Sequence, residues 1–264
     1  MGDTEESEFT DWSSITIGDV ELEFDDWRPN RPRTDKEIWR YRGIEHYSSI
    51  LEDDSLWFSR PHVFNDPLEG SLPAANVFKR NMEHDDTEAK RRSDIRALYR
   101  YTAYINCWYN GDHESDAMWR LYTDNESNAL AIKTTPADLY ESLGPSDSVV
   151  TGDIEYRDYS SFNLKTDNPI APLFFKRKAF QFENEFRVVV HYMNESAIGE
   201  DSSSIDESQP DGKAVPVNID NLIHKVVLSP GSSDEYERKV REITKEHGHS
   251  FEIERSDLDR TALF

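Results

Sequence analysis

The sequence predicts a single α+β domain with a twisted, mostly antiparallel mixed sheet flanked by helices. Short apolar segments with the two-residue alternation of strands recur between segments with the three-to-four-residue spacing of helices. The chain has no internal repeat, no glycine-rich phosphate loop and no turn typical of doubly wound nucleotide-binding folds. Its 264 residues suffice for one domain, and 12% aromatic residues supply core bulk although only 36% of the chain is hydrophobic.

An acidic arm over residues 1–35 is predicted to be poorly ordered, and a single domain is predicted to span residues 36–264. In the first half of that domain, EIWRYR predicts a strand, IEHYSSILEDD a helix, LWFSRP a second strand, and FNDPLEG a turn. Residues 73–104 carry apolar positions at helical intervals and predict one or two helices.

The second half continues the alternation. Strands are predicted for YINCW, NALAIKT, VVTGDIEYRDY, FRVVVHY, AVPVNI, IHKVVLSP and FEIERS. Helices are predicted for SDAMWRLYTD, with Ser115 or Asp116 as its N-cap, for PADLYESLG, which Gly144 ends, and for DEYERKVREITKEHG. Residues 169–181 predict a helix or loop, and residues 194–213 a mobile acidic loop.

The charge balance is strongly acidic, with 53 Asp and Glu against 30 Lys and Arg, a formal net charge of −23. An acid excess spread along the chain suits a cytoplasm of molar salt, where carboxylates keep a protein hydrated and their repulsion is screened. We therefore predict a halophilic, archaeal-type source; an acidic protein from a low-salt organism is the alternative. No long basic stripe exists, so non-specific nucleic-acid binding is not expected.

The remaining composition favours a cytoplasmic protein that does not bind membranes. No apolar run reaches the roughly 18 residues of a spanning helix, and the acidic N-terminus does not resemble a secretory signal. Cys107 is the single cysteine, which excludes an intramolecular disulfide, and it is expected to be a small core residue. The histidines show no convincing ligand spacing, so no metal is expected.

Two arginines alternate with two aromatic residues in the first predicted strand. Arg40 and Arg42 share one face of that strand, and Trp39 and Tyr41 share the other. Two guanidinium groups on one face form a fork for phosphate or carboxylate. An edge strand with solvated arginines is the alternative.

Polar residues follow the second predicted strand. Ser59 ends that strand, and Asn65, Asp66 and Glu69 lie in the turn after it. This arrangement is typical of the rim of a site, but also of a turn in which Asn and Asp bond the backbone. Glu69 is the residue that turn chemistry explains least.

A third pattern lies at the start of the FRVVVHY strand. Glu183, Glu185 and Arg187 are expected on one face of an extended chain. They predict either a catalytic carboxylate with a partner that orients the substrate, or a solvated stripe of ion pairs. Trp119 and Tyr122 share a helix face, which predicts core packing or an aromatic wall for a planar ring.

Taken together, WRYR, LWFSRPxxFNDPLEG, INCW before MWxxY, and FxxExEFR resemble an uncharacterised prokaryotic family of domains of unknown function (number 2971). The resemblance covers roughly residues 37–255 and brings no established activity. INCWYN departs from it, because the family more often has Cys-Phe-Ser there.

The order of these motifs also resembles, more distantly, that of the ADP-ribosyltransferases, including the DNA-modifying toxins. The resemblance implies an ADP-ribosyltransferase-like fold and cleavage of NAD as substrate. It carries over the basic residue to Arg40 or Arg42, the second-motif residue to Ser59, and the catalytic carboxylate to Glu185 with Glu183 as its partner. The further residues expected to bind the nucleotide are Arg42, Tyr41, Asn65, Glu69, Trp119 and Arg187.

Three functions follow as hypotheses. The first is an NAD-consuming ADP-ribosyltransferase-like enzyme, a toxin or defence effector, whose partner is a small-molecule nucleotide and whose acceptor and oligomeric state the sequence leaves open. The second is a non-catalytic binding or regulatory module. The third is a metal-dependent nuclease or phosphohydrolase that uses Asp66, Glu69, Glu183 and Glu185. A pocket that contains one of the Glu-x-Glu carboxylates together with an arginine favours an enzyme.

Overall fold

A computed structural model of the chain describes residues 14–17, 20–82, 95, 99–100, 102–123, 128–144, 149–191 and 210–260. It confirms the predicted fold class, a mixed and mostly antiparallel sheet flanked by helices. Within these ranges, no helix combines the length and the apolar character needed to cross a membrane.

The strands and helices lie where hydrophobic periodicity predicts most of them. The strands are β1 (Ser14–Ile17), β2 (Val20–Glu23), β3 (Ile38–Gly43), β4 (Ser55–Ser59), β5 (Ala103–Tyr109), β6 (Ala129–Thr134), β7 (Val149–Asp153), β8 (Glu155–Arg157), β9 (Phe175–Arg177), β10 (Glu185–His191), β11 (Gly212–Pro216), β12 (Lys225–Leu228) and β13 (Glu252–Arg255). The α-helices are α1 (Ile44–Asp53), α2 (Ala74–Met82), α3 (Asp116–Tyr122), α4 (Pro136–Ser142), α5 (Ile219–Leu222) and α6 (Asp234–Glu246). Short 3-10 helices cover Pro61–Val63, Ala171–Phe174, Lys178–Glu183 and Asp257–Asp259.

Local chemistry explains where several helices begin and end. Ser115 is the N-cap of α3, and its hydroxyl accepts a hydrogen bond from the backbone N–H of Met118. Thr135 caps α4 in the same way, with Pro136 in the first helical turn. Gly144 follows α4 with a φ of +72°, a conformation in which glycine is free of strain.

Among the described residues, the main sheet has nine strands and branches at β5. The order is β11-β4-β5-β3-β6-β12-β13, and β10 joins β5 to β7. Every pair in this sheet is antiparallel except β12 with β13. The pairs β1–β2 and β8–β9 form separate two-stranded sheets, the second of them parallel.

One edge of β5 is nearly open. Its other edge pairs with β10 along the full strand. On the open edge, β4 reaches β5 at the single pair Ser59 with Ile105, and β3 reaches it at the single pair Trp39 with Tyr109. Between these two points β3 and β4 diverge, and the sheet has an opening.

The largest core lies between the main sheet and helices α1, α4, α5 and α6. It includes Leu56, Phe58, Trp108, Phe186 and Val188, all at most 2% exposed. A second core covers the opposite face of β5, β7 and β10. A third joins β3 and β6 to α3. Phe186 and Val188 of β10 therefore pack in the largest core, and the polar side chains of Glu185 and Arg187 lie on the opposite face of the strand.

Two predicted segments differ from their expected form. The segment 169–181, predicted as a helix or loop, contains the strand β9 between two 3-10 helices. Of the predicted acidic loop 194–213, residues 194–209 lie outside the described residues. Residues 212–213 belong to strand β11, which pairs with β4.

The end of the predicted arm contacts the domain. The side chain of Phe24 is buried in the second core, and the Trp27 ring lies 6.0 Å from that of Phe174. The carbonyl of Asn30 accepts a hydrogen bond from the backbone N–H of Asp153, which covers the free edge of β7. A domain boundary near residue 35 stays a prediction.

Substitution of Gly152 by Ala is expected to loosen this covering segment. A Cβ at Gly152 would lie 2.5 Å from Cβ of Pro29 and 2.8 Å from the carbonyl oxygen of Asn30, so the segment must move away. We expect the variant to lose about 1–3 kcal/mol of unfolding free energy, measured by urea denaturation. Limited proteolysis should cut faster near residue 30. Unchanged stability and unchanged proteolytic cleavage would contradict the observed packing of Pro29 and Asn30 against Gly152.

Candidate functional site

The opening beside β5 forms a cleft with a volume of about 800 Å³. Its walls come from β3, α1, β4 and β5, from the end of α3, and from the chain between β9 and the start of β10. The sequence-predicted residues that line it are Arg40, Tyr41, Arg42, Ser59, Asn65, Asp66, Tyr122, Glu183 and Glu185. Arg40 and Glu185, which lie 145 positions apart in the sequence, thus line the same cleft.

Arg40 braces the opening in the sheet. Its side chain is 5% exposed, and Nη1 donates hydrogen bonds to Oδ1 of Asn106 and to the carbonyl of Cys107, at 2.8 Å for the latter. Nη2 lies 3.4 Å from the carbonyl of Trp57, which also accepts from the Asn106 amide at 2.9 Å. These side chains bond backbone carbonyls that a neighbouring strand would otherwise satisfy. The guanidinium also lies over the Trp108 ring.

Both arginines of the predicted fork carry charge that no carboxylate neutralises among the described residues. Nε of Arg40 is buried without a hydrogen-bond partner there. Arg42 is half-buried, and Nη1 donates to the carbonyl of Tyr41 at 3.2 Å. Burial lowers the pKa of both arginines, and the charge of Arg42 lowers that of Arg40 further. An anion in the cleft would relieve this cost.

The opposite wall holds a buried lysine among carboxylates. Nζ of Lys176, in β9, lies 2.5 Å from Oε2 of Glu183, 3.5 Å from Oε2 of Glu185 and 3.4 Å from Oε2 of Glu69. The Lys176 side chain is only 6% exposed. Burial by itself lowers the pKa of Lys176, but the surrounding carboxylates outweigh it and raise that pKa.

Arg187, which does not line the cleft, fixes the orientation of the Glu185 carboxylate. Its Nε lies 2.6 Å from Oε1 of Glu185 and its Nη2 lies 3.0 Å from Oε2, a bidentate pair. Nη1 also bonds Oε1 of Glu69 at 2.7 Å and the carbonyl of Leu173 at 2.5 Å. Neither the Arg187 nor the Glu69 side chain is exposed at all.

The two carboxylates of the Glu-x-Glu pair have opposite environments. Burial raises the pKa of Glu185, but Arg187 and Lys176 outweigh it, and the net result is a pKa lowered to about 2. Burial also raises the pKa of Glu183, and there Lys176 offsets only part of the rise. Glu185 is therefore ionised at neutral pH, while Glu183 accepts a proton more readily.

Three further groups contact this pair. The Tyr122 hydroxyl, from α3, donates to Oε1 of Glu183 at 3.0 Å. The Tyr156 hydroxyl accepts from the backbone N–H of Glu185 at 2.9 Å. The Cys107 thiol faces the Glu185 carboxylate in the cleft wall, and burial, followed by that carboxylate, raises its pKa. Cys107 is thus half-buried in the site rather than a simple core residue.

Three of the predicted nucleotide-binding residues do not line the cleft. Glu69 and Arg187 lie beneath it, where they bind each other and support Glu185. Trp119 is 1% exposed in the third core, because its indole N–H bonds Glu114 and its ring packs on Tyr41. Tyr122, one turn further along α3, reaches the cleft instead.

The predicted extended arrangement of the Glu-x-Glu pair is also corrected. Glu183 ends the 3-10 helix Lys178–Glu183, and Asn184 follows with a φ of +37°, so the strand begins only at Glu185. The turn nevertheless brings both carboxylates to Lys176. A solvated stripe is excluded, since Glu183, Glu185 and Arg187 are all buried.

Lys176 belongs to the candidate site, but the sequence patterns did not single it out. It lies in FKRK, a short basic run between aromatic residues. A run of cations is unusual in so acidic a chain. The position of this run shortly before the Glu-x-Glu pair is the one sequence signal that could have indicated Lys176.

The other predicted rim residues have mixed surroundings. Ser59 is half-buried in the wall, paired with Gly212 on one side and Ile105 on the other. Asn65 is exposed at the rim. Asp66 bonds the backbone of Leu68 and a bidentate Arg177, so it builds the turn.

The carboxylates proposed for a metal site are already occupied by cations of the chain. Lys176 and Arg187 bind Glu69, Glu183 and Glu185, and Arg177 binds Asp66. In the described part of the chain, no group of three or more His, Cys, Asp or Glu residues is arranged to hold a metal ion. This arrangement gives no support to the nuclease hypothesis.

Comparisons with known proteins identify no family for the chain. No family model and no curated protein matches it. Among solved structures, Thermus sp. 2.9 DarT in complex with NAD⁺ is similar, at 10% identity and a TM-score of 0.42 over 88% of this chain and 100% of that one. The same protein in complex with ADP-ribosylated ssDNA gives 11% and 0.40 over 88% and 99%. Its complex with carba-NAD⁺ gives 12% and 0.40 over 86% and 98%.

Proposed function

We propose that this protein is an NAD-consuming, ADP-ribosyltransferase-like enzyme that acts as a toxin or defence effector. One observation carries the enzymatic part. The ionised carboxylate of Glu185 and the un-neutralised guanidinium groups of Arg40 and Arg42 line the same cleft. The cleft therefore offers anion-binding and cation-stabilising groups together, as a pyridinium dinucleotide requires.

The cationic wall suits the pyrophosphate of NAD. Arg42 is half-buried, lines the cleft and has no carboxylate partner among the described residues. Arg40 also lines the cleft and adds a second positive charge that no described carboxylate neutralises. Charge-assisted bonds to phosphate are strong in a partly desolvated cleft, and molar salt screens them less than it screens surface pairs.

The carboxylates of Glu183 and Glu185 in the cleft wall can assist cleavage of the bond between nicotinamide and ribose. When the glycosidic bond between nicotinamide and ribose is cleaved, its electron pair leaves with the nicotinamide nitrogen and positive charge develops on the ribose. Glu185, held rigidly by Arg187, would stabilise that charge without reorganising. Glu183 would accept a hydrogen bond from a ribose hydroxyl. The acceptor nucleophile then bonds to the ribose carbon and releases a proton.

The non-catalytic alternative predicts a flat, exposed Glu-x-Glu face. Both carboxylates instead line a concave site together with two arginines. This arrangement favours the enzyme, because buried charges are costly to maintain in a protein that uses them only for structure.

The test is release of nicotinamide from NAD by the purified chain in about 2 M KCl, the salt regime that its charge predicts. Liquid chromatography would follow nicotinamide and any ADP-ribosylated product. Turnover supports the proposal. No turnover together with no NAD binding by calorimetry would overturn it.

Substitution of Arg42 by Ala is expected to weaken NAD binding roughly 10- to 100-fold, because a charge-assisted contact to phosphate is lost. The dissociation constant would be measured by isothermal titration calorimetry. Arg120→Ala is the matched control: Arg120 is exposed on α3, pairs with Asp116 and does not line the cleft. Equal affinities for the two variants would contradict a phosphate-binding role for Arg42.

A further inference from the structure

Lys176 has a place in the site that the resemblance to ADP-ribosyltransferases does not supply. It is brought there by β9, a three-residue strand held against β8 in a parallel pair. Its ammonium also lies 5.0 Å from the centre of the Phe180 ring. The side chain is thus enclosed by carboxylates and an aromatic ring, and it lines the cleft beside them.

The charges around Lys176 are unequal. Three carboxylates, from Glu69, Glu183 and Glu185, face two cations, from Lys176 and Arg187. Arg187 contacts Glu69 and Glu185 but makes no ion pair with Glu183 among the described residues. Lys176 is therefore the cation on which the ionised state of Glu183 depends.

The position of the ammonium also sets the spacing of the pair. Oε2 of Glu183 and Oε2 of Glu185 both lie within 3.5 Å of the same nitrogen. Two like charges this close would repel each other without a cation between them. The contact with Glu183 also spans the 3-10 helix Lys178–Glu183, and so holds the turn that brings this carboxylate back to the site.

We propose that Lys176 is a positioning residue, whose ammonium keeps the carboxylates of Glu183 and Glu185 side by side and ionised in the wall of the cleft. This inference rests on the proposed function for its catalytic consequence. Lys176 acts on the reaction through these two carboxylates, because its ammonium is bound to both of them. With Lys176 in place, the carboxylates of Glu183 and Glu185 together face the positive charge that develops on the ribose.

Replacement of Lys176 by Met is expected to raise the pKa of Glu183 by about one unit or more. The other titratable and charged groups that face this pair stay in place; they are Glu69, Cys107, Tyr122, Tyr156 and Arg187. The acid limb of the pH profile for nicotinamide release should move to higher pH by the same amount. On the acid side of the wild-type profile, activity should therefore fall roughly tenfold, and it should recover at higher pH.

The experiment compares four proteins: wild type, Lys176→Met, Lys176→Arg and Lys178→Met. Lys176→Arg should keep the wild-type profile because it keeps the charge. Lys178→Met is the matched control, since Lys178 is an exposed lysine two residues away. Carbon-13 NMR of glutamate labelled at the carboxyl carbon gives the pKa of Glu183 directly, with Glu183→Gln to assign the signal.

The NMR titration separates the two proposals. If the wild type does not cleave NAD, the proposed function fails, while the pKa of Glu183 still tests Lys176. An unchanged Glu183 pKa and an unmoved acid limb in folded Lys176→Met would overturn the inference. If that variant does not fold, Lys176→Gln replaces it, and the nitrogen-15 signal of Lys176 in wild type, followed through the titration of Glu183, reports the same coupling.

Discussion

Substitution of Glu185 by Gln is expected to reduce nicotinamide release from NAD roughly 10²- to 10³-fold or more, with little change in NAD affinity. Gln keeps the size of the side chain but removes the negative charge that faces the ribose. Because that charge acts mainly on the transition state, the loss should appear in kcat rather than in KM. Single-turnover assays with saturating NAD would measure it.

Glu69→Gln is a matched control for this loss. Glu69 and Glu185 are both buried and both bind Arg187 and Lys176, but only Glu185 lines the cleft. The two substitutions should therefore cost similar amounts of unfolding free energy, while only Glu185→Gln abolishes turnover. Equal loss of activity in both variants would mean that Glu185 acts through the cluster rather than on the substrate.

Substitution of Arg187 by Met is expected to be the most destabilising single change in the site, at about 3–5 kcal/mol of unfolding free energy. Arg187 is fully buried and compensates Glu185 and Glu69 at once, and its removal leaves both carboxylates with Lys176 alone. Guanidinium denaturation in molar KCl would measure the loss, since salt screens buried pairs weakly. A loss below about 1 kcal/mol would show that the cluster contributes little to stability.

The same variant should change how stability depends on pH. The pKa of Glu185 is lowered from 4.5 to about 2 in the folded chain, so its pairing stabilises the fold above about pH 4.5 and is lost as the pH falls towards 2. Without Arg187 this pKa rises, and the acid-induced loss of stability over that window should become smaller. A loss of the same size in both proteins would contradict the pairing.

Most strands and helices were predictable because their hydrophobic periodicity is local. The predicted strand FRVVVHY overlaps β10 from Phe186 to His191, and the cap of α3 at Ser115 follows from a short polar side chain before an apolar helix. β9 was not predictable, since three residues between two 3-10 helices are too few to show a period. The parallel partner that defines it, β8, is distant in sequence.

The site was predictable in its residue types but not in their partners. The order of motifs groups Arg42, Ser59, Glu183 and Glu185, and all four line one cleft in the structure. No sequence pattern shows that Lys176 faces these carboxylates, because the contact depends on a left-handed Asn184 and on the packing of β9. Long-range ion pairs of this kind are properties of the folded chain.

The hydrogen bonds of Arg40 and Asn106 maintain the shape of the cleft, whereas other residues determine which ligand the cleft selects. These side chains satisfy backbone carbonyls at the open edges of the sheet, so the cleft is already formed without a ligand. Ligand binding therefore costs little free energy of reorganisation. The cleft-facing positions of α1, such as His46 and Ser49, take no part in the hydrogen bonds of Arg40 and Asn106. Substitutions there can accumulate without closing the sheet. The cleft can therefore acquire a different ligand preference through substitutions along one helix, while the hydrogen bonds that hold the opening stay unchanged.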